Sequence, residues 1–163
     1  MFHYGRTRRA RTAGLPATAL LALGSLLHAQ TPVADDPDAR PPVTRTDLEI
    51  VRNARAIIAS PARWNRADDR QCPPAAKTFS IYCALEKATL DVGLKFEHRG
   101  AALQEVRFVI DEISADRDYE HRLMDYNNDP RTSFADMQRV FRIAEELIQL
   151  RLGTSGSAAR PAR

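Results

Sequence analysis

Two cysteines in 163 residues are too few for a small domain built on disulfides, and seven glycines exclude a collagen-like repeat. Aromatic residues are sparse at 7%, and no apolar run reaches the roughly 20 residues that a membrane-spanning helix needs. Length and composition also argue against a coiled coil or several domains. An apolar fraction of 44% supports one hydrophobic core and argues against disorder along the whole chain.

An excess of one charge is missing as well, once the first residues are read for what they are. Arg6, Arg8, Arg9 and Arg11 precede an uncharged stretch, Ala13 to Leu27, rich in Leu and Ala. This is the pattern of a secretory signal peptide over residues 1–29, with cleavage expected between Ala29 and Gln30. The run of 15 residues contains Pro16 and is short for a membrane anchor. No cysteine follows the cut to carry a lipid, and Arg8-Arg9 lacks the apolar pair of a twin-arginine signal. Without these four arginines the 24 basic residues fall to 20, against 21 acidic ones. A nucleic-acid partner needs a basic stripe and is not expected, nor is a stable membrane anchor. The expected location is periplasmic or secreted.

Residues 30–42 hold four prolines and three aspartates around a single large aliphatic residue, Val33, which predicts a disordered leader. Residues 154–163 read as a disordered tail. The folded domain is expected over 43–153. Thr46 and Glu49 fit a capping box that opens a helix from Asp47 to about Ala59, ended by Pro61. Ile81, Leu85, Ala88 and Val92 predict a helix over 78–92, with Gly93 as its left-handed cap and Leu94 as an apolar contact behind it. Leu103, Val106, Ile110 and Ile113 mark another after Gly100, ending at the charged run from Asp116 to Asp118. A short turn of helix is expected at 122–125. The final helix starts at Thr132 or Ser133, carries Met137, Val140, Phe141, Ala144, Leu147 and Ile148 on one face, and stops at Gly153. The fold class is all-α, a compact bundle of four to five helices.

Cys72 and Cys83, eleven positions apart in a chain bound for an oxidising compartment, are expected to form a disulfide. The alternatives are a Cys83 thiolate with His98 or His121 as its base, or Cys83 as a small buried apolar residue. Asp125, Asn127 and Asp129 alternate like the oxygen ligands of a calcium loop, with Ser133 and Asp136 at the ninth and twelfth places. Pro130 stands where that loop needs Gly, so the competing reading is a polar turn leading into the last helix. His98 and His121, flanked by charges, read as surface histidines, and Glu86, Asp91, Asp111, Glu112 and Asp116 as solvated carboxylates. Trp64, Phe79, Tyr82 and Phe96 line a pocket or pack the core. Trp64, Phe79 and Tyr82 are the binding candidates. No catalytic residue and no cofactor is assigned.

The order of these features resembles a small bacterial family of unknown function. The pattern is a Trp after a first helix, a Cys-Ala-Leu-x-x-Ala helix, and an Asn-Asp turn before a Thr-led helix. It is carried here by Ala54 to Trp64, Cys83 to Ala88, and Asn128-Asp129 with Thr132, Val140 and Ala144. The resemblance runs from Leu48 to Leu150, and this chain departs from it in its export signal and its Cys72-Pro73-Pro74 loop. It implies a helical fold, names no catalytic residue, and makes Trp64, Cys83 and Asp129 architectural positions. The expected function is an exported, non-enzymatic module that binds a protein partner or small ligand, with a groove at Trp64 as the interface. A hydrolase using Cys83 or Asp125 and Asp129, or a calcium-stabilised module, is the alternative.

Overall fold

A computed structural model describes residues 40–158. The signal segment, the leader before residue 40 and residues 159–163 lie outside them. Among the described residues the chain forms five α-helices: α1 (Arg45–Ile57), α2 (Ile81–Asp91), α3 (Ala101–Ile113), α4 (Arg122–Asn128) and α5 (Phe134–Ala158). The expected all-α architecture is what the chain adopts. Its one β-type contact among these residues is an isolated parallel bridge between Trp64 and Phe79.

Helix α1 begins two residues earlier than the sequence suggests, because Thr44 and not Thr46 is the cap. The Thr44 hydroxyl accepts from Asp47 N–H at 3.3 Å, and the Asp47 carboxylate accepts from Thr44 N–H at 2.8 Å. The other oxygen of Asp47 accepts Ala102 N–H at 3.2 Å, so one carboxylate satisfies the first turns of both α1 and α3. Ser80 caps α2 by accepting from Cys83 N–H. Gly93 follows α2 at φ +78°, the conformation that glycine adopts without strain, but Leu94 behind it stays exposed. Ser133 and Asp136 form a second capping box that starts α5. The final helix then passes through Gly153 to Ala158, where a stop at Gly153 was expected; a Cβ at Gly153 would meet nothing, so no packing forces a break there.

Helix α1 lies against α2, α3 and α5 and supplies Ile50, Val51 and Ala54 to the interior. Ile58, Ile81, Leu85, Leu103, Ile110, Met137, Phe141 and Ile148 are fully buried around it. Each such side chain contributes on the order of 1.5–3 kcal/mol through removal of apolar surface from water. Two carboxylates are buried with them. Glu145 of α5 is met by Arg55 of α1 at 2.8 Å. Glu105 of α3 is met by Arg151 of α5 and, at 3.7 Å, by Arg40.

Residues 40–42, expected in the leader, are attached to the bundle. The Arg40 guanidinium stacks 4.6 Å over the Phe108 ring and pairs with Glu112 at 2.6 Å, while Pro41 accepts a hydrogen bond from Arg151. Cation–ring stacking and an ion pair together explain why this end does not fray.

Candidate functional site

The long connection between α1 and α2 has little regular structure, and its backbone groups find partners on α4. Asn127, fully buried near the end of α4, accepts from Trp64 Nε1–H at 2.8 Å and from Ile81 N–H at 3.1 Å, and donates to the Asn65 carbonyl at 2.9 Å. Asn128 beside it pairs with the backbone of Asp68 in both directions, at 2.7 and 2.8 Å. The expected Cys72–Cys83 disulfide ties the other end of the loop to α2, with S–S 2.04 Å.

These pins decide where Arg70 stands. Its N–H is held by the Asp68 carboxylate at 2.8 Å, and its backbone is left-handed, φ +61°. Arg70 is the only non-glycine residue with positive φ among those described. Its side chain lines a cleft of about 280 Å³ together with Tyr82 of α2, His98 and Arg99 before α3, Gln104 and Arg107 of α3, and residues 120–124 at the start of α4. Four arginines, Arg70, Arg99, Arg107 and Arg122, therefore line one space, with Glu120 as the carboxylate of the lining.

Within the wall, Arg107 donates to Gln104 Oε1 at 2.7 Å and to the His98 carbonyl, and Arg122 pairs with Asp111 at 2.8 Å. The Tyr82 hydroxyl and His98 Nδ1 are 3.0 Å apart, with the rings stacked and Phe96 edge-on to both. Burial, followed by the nearby charges of Arg122 and Arg99, pulls the Arg107 pKa below its ordinary value. Guanidinium nevertheless stays charged at any physiological pH, so like charges remain close together in the cleft. Burial, reinforced by Glu86, raises Tyr82 and keeps its hydroxyl a neutral donor.

The residues expected to carry function are dispersed. Trp64 is buried, its indole N–H on Asn127 and its ring against Phe134 and Arg66, so it belongs to the core and not to an open groove. Phe79 lies under Arg63 and beside a separate groove with Pro73, Pro74 and Leu90. Tyr82 alone of the three lines the cationic cleft, where it is joined by both histidines that read as isolated.

The calcium-loop reading is corrected, because the three side chains have three separate tasks. Asp125 accepts His121 N–H at the start of its own helix, Asn127 holds the Trp64 loop, and Asp129 accepts from Tyr119 Oη at 2.7 Å and from Arg131. Among the described residues no three His, Cys, Asp or Glu side chains are grouped to hold a metal ion. The groups named for a hydrolase, Cys83, Asp125 and Asp129, are likewise engaged within the fold. Both sulfurs are spent in the disulfide, and Asp129 is bound to cations.

These carboxylates set a pH dependence. The Arg131 side chain and N–H, then the Tyr119 hydroxyl, hold Asp129 well below the ordinary carboxylate range, and Ser133 holds Asp136 lower than usual. A carboxyl depressed in the folded state stabilises it fully above the unfolded value, and this contribution is lost as pH falls through the folded one. Asp68 acts with the opposite sign: burial raises it, so its penalty grows as pH rises from the ordinary value of 3.8. Asp129 is displaced furthest of the three, and its sign prevails. The urea midpoint is expected to fall as pH drops from about 5 to 2, with a shallower slope in Asp129→Asn; an equal slope in both proteins would remove Asp129 from this account.

Fold and site together define a small all-α domain whose irregular loop is fastened to one helix end beside a cationic cleft. The chain belongs to the Family of unknown function (DUF6197), whose model matches residues 42–147. That match agrees with the resemblance to an uncharacterised family. No curated protein and no solved structure matches the chain. No helix among the described residues is long and apolar enough to cross a membrane.

Proposed function

We propose that this chain is an exported, non-enzymatic module that binds a small anionic ligand in the cleft between the Arg70 loop, α2, α3 and the start of α4. The observation that carries the reading is the convergence of Arg70, Arg99, Arg107 and Arg122, from separate segments, on one concavity. Like charges brought together by a fold raise its energy, and a bound anion reverses the sign of that term. The remaining lining groups, Gln104, Tyr82 and the two imidazoles, supply directional hydrogen bonds. Export is supported by the charge and apolar pattern of residues 1–29, and the disulfide is compatible with an oxidising compartment.

Calorimetric titration of the chain recovered from the export compartment, against phosphate, sulfate and acetate at constant ionic strength, tests the binding. Saturable one-to-one uptake of at least one anion is expected, weakened at least fivefold in Arg99→Gln, whose exposed side chain has no part in the core. Heats no different from buffer dilution for every anion would end the reading. The mass of the same preparation reports export: a chain beginning at Gln30 is expected, and an intact Met1 end would contradict it.

A further inference from the structure

We infer that the cleft is built for a phosphoryl dianion and that Arg70 is the residue that selects it. The inference rests on the anion-binding reading above and adds the ligand's class and its recognition element. Charge is the first argument. Four arginines line the space; Glu120 in the lining and Asp111, paired to Arg122, offset two of them. Asp68 and Glu86 act on Tyr82 from beyond the lining, so the excess belongs to the lining itself, where four arginines face one carboxylate. A carboxylate brings one negative charge and two acceptor oxygens, whereas a phosphomonoester brings close to two charges and three oxygens at neutral pH. Guanidinium forks match phosphoryl oxygens in pairs, which a cluster of arginines exploits better than point charges do.

The second argument is the backbone of Arg70. At φ +61° a side chain crowds the following carbonyl, and glycine or asparagine would sit there with less strain. The turn itself does not ask for arginine: it is held through the Arg70 N–H on Asp68, which any residue supplies. The Arg70 side chain is exposed with no hydrogen bond or ion pair among the described residues, and its charge acts through space on the buried Asp68 and on Tyr82. An unfavourable backbone state retained under a cation with no hydrogen-bonding partner points to a further task for that cation outside the fold. Its neighbours show how it is kept on station: Asp68 is clasped by Asn128, and Cys72, two residues on, is bonded to Cys83, the residue after Tyr82.

The volume argues for size. About 280 Å³ lies at the lower end of small-molecule sites, which suits inorganic phosphate or a short phosphomonoester.

The test compares inorganic phosphate, glycerol phosphate and acetate on the oxidised full mature chain and on Arg70→Gly and Arg70→Asn. Phosphoryl ligands are expected to bind at least tenfold more tightly than acetate. Both variants are expected to keep or raise the melting temperature while losing at least tenfold in phosphate affinity, a combination that a structural role cannot produce. Tighter binding of glycerol phosphate than of inorganic phosphate identifies an organic ester as the source; the reverse identifies the free ion. Acetate binding as tightly as phosphate overturns this inference and leaves the anion-binding reading standing. Wild-type affinity in Arg70→Gly, or a lowered melting temperature in both variants, also overturns it. Absence of binding to all three anions removes both.

Discussion

Asn127→Ala is expected to lower the unfolding free energy by about 3–5 kcal/mol, the largest effect of any single polar substitution in this chain. The side chain is fully buried and serves four groups at once: the Trp64 indole N–H, the Ile81 N–H, the Asn65 carbonyl and Asn128 Oδ1. Ile81 is itself fully buried, so its N–H has no water to turn to. Removing one residue leaves several buried dipoles unpaired, each costing on the order of 1–3 kcal/mol. Asn128→Ala is the control. Asn128 is exposed and its bonds to Asp68 are only partly buried, so its loss is expected to cost less, about 1–2 kcal/mol. Urea denaturation of the two variants decides the matter. Equal midpoints would mean that the Trp64 loop is held by something other than Asn127.

The second large effect is expected at the other end of the bundle. Glu105 has no exposed surface and depends on Arg151, with Arg40 at 3.7 Å as a weaker partner. Arg151→Ala leaves the carboxylate buried with only that partner, and a loss of about 3 kcal/mol follows. The double variant Glu105→Leu/Arg151→Leu removes the charge together with its partner and is expected to recover most of the loss, because a buried carboxylate paired with a half-buried arginine gains little over apolar packing. A double-mutant cycle in denaturant measures the coupling. Strict additivity of the single effects would show that the pair is not a unit.

Helices were legible where an apolar stripe repeated at helical spacing, as with Leu103, Val106 and Ile110 or Met137, Val140 and Ala144. Their ends were less so. Thr44 with Asp47 and Thr46 with Glu49 both fit a capping box, and what separates them is Ala102, a partner 55 positions from Asp47. The disulfide was legible from spacing and compartment. The cationic cleft was not. Arg70, Arg99, Arg107 and Arg122 stand on separate segments, and each looks like an ordinary surface arginine until the fold brings them together. Trp64 shows the reverse error: a lone Trp in a polar loop suggested an open groove, but the polar groups around it are the ones that bury it. The alternating Asp125, Asn127 and Asp129 suggested ligands for a cation because hydrogen-bonding oxygens look the same in sequence whether they face a metal or the backbone.

The clasp between Asn127 and the Trp64 loop also fixes an order of events during synthesis. Trp64 leaves the ribosome 63 residues before the side chain that satisfies it. Until α4 has been made, the first half of the domain carries an unmet demand for hydrogen bonds in its least regular stretch, however well α1 and α2 have formed. A nascent chain stalled just before residue 127 holds the sequences of three helices, α1 to α3, and an open loop. Where the surroundings are oxidising, the disulfide between Cys72 and Cys83, both of which precede Asn127, is the tie that can hold that loop to α2 in the meantime.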